Sequence, residues 1–289
     1  MSASPITRGL LIALTAQAIF TINDTCAKLL TVKYLVFQII SMQALVAGVI
    51  VISALLATGQ FKLSSINSPR RLATRGLLAG VGALTNIYAF SVLPLADVYA
   101  IIFCTPLIVT AVSAPLLGER IDRARWIAVI IGFCGMVIMV RPGGSPLSLG
   151  HAAALLSACI SACVVLLLRT IAGQEPRLMM VAAVVAAHFI VGLPVALFIG
   201  RLPDLVDLAI ILLSGASMAA GQFLMVEALR LAPAATVAPI QYTKLVWGLI
   251  VGALLFGDQP KPHVLLGTAI VVATVLYLLR RAPPRRRDL

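Results

Sequence analysis

Ten stretches of this chain are long and apolar enough to cross a lipid bilayer: residues 9–30, 34–56, 72–93, 95–117, 124–140, 148–168, 178–199, 205–231, 233–256 and 262–279. A spanning helix needs about 20 mostly apolar residues, because the hydrocarbon core is about 30 Å thick and each helical residue rises about 1.5 Å. The expected fold class is therefore an all-α integral membrane protein with ten transmembrane helices. A β-barrel would show shorter segments alternating polar with apolar. The longest connection, Thr58 to Arg71, leaves no room for a soluble domain. With 61% apolar and 11% charged residues and a mean hydropathy of +1.08, the chain cannot be a globular cytosolic enzyme, a disordered chain or a disulfide scaffold. Average soluble domains are about half apolar and about a quarter charged.

The net charge of +12 is distributed as a topology signal. With a cytoplasmic amino terminus, one side collects sixteen basic residues: Arg8, Lys62, Arg70, Arg71, Arg75, Arg120, Arg123, Arg125, Arg169, Arg177, Arg230, Arg280, Arg281, Arg285, Arg286 and Arg287. The other side has four, Lys33, Arg141, Arg201 and Lys261, while Lys28 and Lys244 fall inside spans. The positive-inside rule then places both termini in the cytoplasm. The basic tail reads as an anchor to the bilayer surface, and no nucleic-acid partner is expected. Arg8, the apolar run after it and Ala16-Gln17-Ala18 resemble a secretory signal; the internal repeat described next favours an uncleaved first helix.

Shifting the chain by 139 residues aligns 89–119 with 228–258 without a gap. Nine of the 31 positions are identical, among them Pro94/Pro233, Ala96/Ala235, Val98/Val237 and Gly118/Gly257, and Glu119 meets Asp258. A repeat of this length gives two halves, 1–142 and 147–289, with five spans each. Five is odd, so the halves are expected in opposite orientations. Inverted repeats of this kind place a binding site near the membrane midplane between the halves and expose it to each side in turn. The reading is a secondary transporter for a small polar metabolite, working by alternating access.

The motifs resemble the EamA-type family of the drug/metabolite transporter superfamily. They are Asn23-Asp24 with Lys28, Arg75-Gly76-Leu77-Leu78, Leu93-Pro94-Leu95-Ala96 followed by Thr105-Pro106, Leu117-Gly118-Glu119-Arg120 before Arg125-Trp126, and Ala235-Thr236-Val237-Ala238-Pro239-Ile240-Gln241-Tyr242 followed by Phe256-Gly257-Asp258. The resemblance covers essentially the whole chain and rests on the order of the motifs. It implies a ten-helix inverted-repeat carrier in the bacterial inner membrane. The branches it looks nearest to carry S-adenosylmethionine or riboflavin, and others export amino acids. Ser41-Met42-Gln43 stands where the resemblance leads one to expect an arginine, and Lys244 where an uncharged residue is common.

Lys244 is the most informative single residue. It has eleven residues of its span before it and twelve after, about 16 Å from either interface. Such a position costs about 2.5–3.5 kcal/mol on insertion scales, so the ammonium must face a partner or a water-filled cavity. It either binds an anionic part of the cargo or an exchanging proton, or forms a structural ion pair with Asp24. Gln241 shares its face, and Gly248 and Gly252 continue the stripe as a helix-packing motif. Gln17, Thr21, Asp24 and Lys28 form one face of the first span, where Asp24 and Lys28 can pair at i, i+4. Asn86, Tyr88, Tyr99, Gln43 and Gln222 are further polar candidates, each able to serve instead as interhelical glue. Glu227 and Arg230 are expected to pair, Asp97 to be solvated or at a helix start, and His188 to make a core hydrogen bond. His151 and His263 lie near span ends. Pro106 and Pro239 interrupt the fourth and ninth spans, as static bends or as gates.

The substrate-binding set is thus Lys244, Asp24, Gln241, Asn86, Tyr99, Gln17 and Gln43, with Pro106 and Pro239 as gating positions. No cofactor and no metal are expected. Cys26, Cys104, Cys134, Cys159 and Cys163 all fall in spans and form no C-x-x-C pair; Cys159 and Cys163 share a face, read as small buried packing residues with a soft-metal site as the alternative. The rival classes are a membrane-embedded enzyme and a structural membrane subunit. There is no H-E-x-x-H, G-x-S-x-G or Walker A motif. A homodimer is left open.

Overall fold

The computed structural model describes residues 4–59, 66–93, 95–102, 104–118, 122–140, 148–199, 202–256 and 262–280. These form twelve α-helices and one 3₁₀ segment. In the first half they are α1 (Pro5–Leu30), α2 (Val36–Ala57), α3 (Pro69–Val92), α4 (Leu95–Ile102), α5 (Cys104–Leu117) and α6 (Arg123–Val140). In the second they are α7 (Leu149–Ile171), α8 (Arg177–Ile199), α9 (Leu205–Leu231), α10 (Ala234–Val237), the 3₁₀ segment (Ala238–Tyr242), α11 (Thr243–Phe256) and α12 (Pro262–Arg280). Among the described residues α1, α2, α7, α8 and α9 are long and apolar enough to cross a membrane. Helix α3 has the length, but Arg70, Arg71 and Arg75 dilute its hydropathy.

Local sequence sets the helix starts. Ser4 accepts a hydrogen bond from the Thr7 N–H, and Pro5 follows where its missing N–H is not needed. Asp204 caps α9 by accepting from the Asp207 N–H at 2.8 Å. Ser148 and His151 bond across the start of α7, which gives His151 a capping role. His263 is the second residue of α12.

The expected ninth span is not a single helix. The fourth is α4 and α5, with Phe103 outside the described residues, and the ninth is α10, the 3₁₀ segment and α11. Pro106 lies in α5. Pro239 lies in the 3₁₀ segment. Pro239 is thus within the break of its span. The 139-residue shift carries α4 onto α10 and the 3₁₀ segment, and α5 onto α11.

The dominant packing pairs are α1 with α9, α2 with α8, α3 with α7 and α6 with α12; α3 also packs on α8, α2 on α9, α5 on α7 and α1 on α11. Every pair joins an element of the first half to one of the second. Small residues permit the closest approaches. A Cβ on Gly76 of α3 would stand 2.5 Å from the Ala183 carbonyl oxygen on α8, and one on Gly215 of α9 would stand 2.8 Å from the Gln43 carbonyl oxygen on α2. The side-chain positions of Gly248 and Gly252 lie outside the described residues. The outer surface is apolar, with Val49, Leu56, Leu197, Phe198 and Leu254 exposed. Cys134, Cys159 and Cys163 are also exposed, which corrects the expectation of buried packing; Cys26 is buried and Cys104 half-buried.

Candidate functional site

A cavity of about 220 Å³ lies between the halves, walled by α1, α2 and α3 of the first and by α7, α8, α9, the 3₁₀ segment and α11 of the second. Its polar lining includes Gln17, Asn23, Asp24, Gln43, Arg75 and Asn86 from the first half, and Ser157, Ser161, His188, Gln222, Gln241 and Lys244 from the second. Six of the seven residues expected to bind substrate line it. Tyr99, the seventh, is buried behind Asp24 and donates its hydroxyl to Asp24 Oδ2 at 3.3 Å.

Lys244 is the second residue of α11, directly after the 3₁₀ segment. Its Nζ lies 2.8 Å from Asp24 Oδ2 and 5.5 Å from the Phe20 ring centroid. Of the two partners open to Asp24, Lys28 on its own helix and Lys244, the structure sets the Lys244 ammonium of the opposite half against the carboxylate. Asn23 donates to the carbonyl and hydroxyl oxygens of Ser214, and Gln43 donates to the same hydroxyl at 2.6 Å. These two amides tie α1 and α2 to α9 while facing the cavity. The Thr21 hydroxyl turns back to the Gln17 carbonyl. Asn86 Oδ1 is buried and has no hydrogen-bond partner.

Arg75 is the residue that sequence reasoning misplaced. It was counted with the cytoplasmic charges because it lies three residues inside the third span. It is 1% exposed, and its guanidinium donates to the Met180 carbonyl at 2.6 Å and to Gln222 Oε1 at 3.1 Å. A signal for it existed: Arg75, Ala79, Gly82 and Asn86 follow one another at spacings of 4, 3 and 4, one helical face, and all four line the cavity. Near it, His188 donates from Nδ1 to the Val184 carbonyl, as expected for a core histidine, and its ring also lines the cavity.

Other expectations fall away from this site. Tyr88 is 38% exposed. Glu227 pairs with Arg177 at 2.9 Å and not with Arg230, which donates to the Glu175 carbonyl. Asp97 is in α4, and its side chain lies outside the described residues. Among the described residues no three His, Cys, Asp or Glu side chains stand together as a metal site would require.

Each end of the bundle carries a polar clasp. Lys33, between α1 and α2, pairs with Asp204 and Asp207 at the start of α9, and the Tyr34 hydroxyl donates to Asp207 at 2.6 Å. Glu175, between α7 and α8, accepts the Asn67 and Ser68 N–H groups at the start of α3. The Asp207 carboxylate, and after it Asp204, holds the Lys33 ammonium above its usual pKa. The Asp207 N–H, and after it Lys33, holds the Asp204 carboxyl below its own.

An all-helical bundle with an apolar exterior and a charged, solute-sized cavity at its centre is the architecture of a membrane transporter. The chain belongs to the EamA-like transporter family, which it matches twice, over residues 7–141 and 148–280. It is 24% identical to the S-adenosylmethionine uptake transporter of Rickettsia prowazekii (strain Madrid E), over 90% of this chain and 88% of that one. It is 29% identical to the riboflavin transporter of Rhizobium johnstonii (strain DSM 114642 / LMG 32736 / 3841), over 76% and 73% of the two chains. A solved crystal structure at 18% identity superposes with a TM-score of 0.77 over 96% of this chain and 99% of that one, which shows the shared fold.

Proposed function

We propose that this transporter is a secondary carrier that moves a small polar metabolite by alternating access. In this reading ten membrane passages form two inverted halves, 1–142 and 147–289, with both termini cytoplasmic in the inner membrane. The carrying observation is the cavity itself, in which Asp24 of one half meets Lys244 of the other at 2.8 Å beside unpartnered polar groups. A charge pair placed across two halves is broken or re-formed when they rock, so cargo or a proton that competes for either charge is coupled to the motion. S-adenosylmethionine, riboflavin and amino-acid-like compounds are the cargo classes that the relatives and the family resemblance put forward.

Flux across proteoliposomes holding the purified protein tests the carrier reading, with counterflow of labelled solute against an unlabelled pool as readout. Absence of flux for every metabolite pool tried would return the structural-subunit reading. Reporter fusions after Leu289 and between Arg141 and Gly150 test the topology and are expected to report opposite sides; the same side for both would refute it.

A further inference from the structure

We infer that the Arg75 edge of the cavity is a carboxylate subsite, so that the cargo carries a carboxylate. The inference rests on the carrier reading and narrows its cargo. Four titratable side chains among the described residues line the cavity: Asp24, Arg75, His188 and Lys244. Asp24 and Lys244 neutralise each other. Among the described residues Arg75 is met by neutral acceptors, the Met180 carbonyl and the Gln222 side-chain oxygen, and its buried Nε has no partner there. That leaves the Arg75 guanidinium as a positive charge with no carboxylate of the described lining to compensate it.

That charge is built in rather than free to leave. Arg75 starts from α3 and is gripped by α8 and α9, so its guanidinium is held in one orientation by three elements. A charge at membrane depth is costly unless it meets a partner or water. A planar guanidinium with an unused N–H presents the donor geometry that suits a carboxylate. The subsite also separates the cargo classes above, because amino-acid-like compounds and S-adenosylmethionine have a carboxylate and riboflavin has none. Asn86, eleven residues further along the same stripe, is about 16 Å away along the helix axis. Its unpartnered Oδ1 is an acceptor, so the far end of the cavity suits a donor group on the same cargo.

The test follows thermal unfolding of the detergent-purified full chain with the common L-amino acids, succinate and malate, their amides, riboflavin and inorganic phosphate. At least one carboxylate is expected to raise the unfolding temperature, while its amide, riboflavin and phosphate do not. Arg75→Gln should weaken the apparent affinity for that carboxylate about tenfold to a hundredfold, the loss of a charge-assisted hydrogen bond. Should that variant not fold, Gln222→Glu supplies a carboxylate of the chain's own beside Arg75 and should abolish the response to added carboxylate. Equal stabilisation by acid and amide, a response to riboflavin or phosphate alone, no response to any carboxylate, or an unchanged affinity in the variants would overturn the subsite. Proteoliposome flux separates this from the carrier reading. Binding of a carboxylate without flux overturns only the carrier, and flux of a solute that lacks a carboxylate overturns only the subsite.

Discussion

Replacing Lys244 by Met tests how the two halves are joined at their centre. The substitution keeps length and removes charge, so its cost lies mainly in what it strands. Asp24 is 7% exposed and would keep the Tyr99 hydroxyl at 3.3 Å. Breaking a fully buried pair by removing one partner costs about 3–5 kcal/mol. Here the lysine side chain is 18% exposed to the cavity, and water there recovers part of the loss, so about 2–3 kcal/mol is the expected destabilisation. Asp24→Asn should cost less, because the stranded ammonium keeps cavity water and the Phe20 ring, worth about 0.5–1 kcal/mol. The double variant strands no charge and should fall within about 1 kcal/mol of the parent, a coupling of about 2 kcal/mol. Reversible denaturation in mixed micelles, run on all four proteins, measures that coupling. Additive single effects would show that the 2.8 Å pair contributes nothing to the fold and would refute this reasoning. Transport adds a second readout. Recovery of flux in the double variant would place the pair outside cargo binding, whereas a folded but inactive double variant would place it inside.

Gly76→Ala and Gly215→Ala should each destabilise the bundle by about 1–3 kcal/mol, because the added methyl meets a carbonyl oxygen of the neighbouring helix that cannot swing aside; the same denaturation assay checks both, and a neutral effect at either would show that the helices separate freely there. The Asp204 carboxyl has a lowered pKa in the folded protein, so its contribution is present above its unfolded value and is lost as pH falls through the folded one, below about pH 4. Asp204→Asn should therefore flatten the acid limb of a stability profile without moving the neutral plateau's pH range. Lys33 titrates with the opposite sign: its raised pKa gives a contribution that is complete below the ordinary lysine range and is lost only as pH rises past it. Glu175→Gln should loosen the start of α3, read as faster amide exchange at Asn67 and Ser68.

The helical class was legible because apolar length is a local property, and a run such as 205–231 needs no partner to be recognised. The same holds for Asp24 and Lys244, whose cost inside a span marks them as functional or paired and makes each a candidate partner of the other without choosing between these roles. Their pairing joins residues 220 positions apart, and no periodicity reaches that far. Arg75 was hidden for a different reason. It lies close enough to the start of its span to pass for a topology charge, and only the stripe it shares with Asn86 points inward. Pro239 marked the break at 238–242, but its extent was not legible, because the segment is as apolar as its neighbours; a break in a helix is tolerated where it is buried in protein or lines a cavity, and hydropathy does not register it. Glu227 found Arg177 instead of Arg230 because the ends of α8 and α9 lie together, again a tertiary fact.

The pseudo-symmetry extends well beyond the nine identities that revealed it. Exchanging the halves maps α1 on α9 into α7 on α3, α3 on α8 into α9 on α2, and α5 on α7 into α11 on α1, and all of these contacts are present. Gly76 maps onto Gly215 under the same 139-residue shift, and at each an added Cβ would meet a carbonyl oxygen of the facing helix. The clasps exchange too: the link after the first helix of one half holds the start of the third helix of the other, through Lys33 with Asp207 at one end and Glu175 with Asn67 and Ser68 at the other. The charges are reversed and the side chains unrelated, yet the backbone relation is the same. What repeats is a set of close approaches and helix ends, which constrain shape and leave most side chains free to differ. The cavity between the halves can therefore carry Arg75 on one side and Lys244 on the other, where the same shift places Ser214 and Thr105.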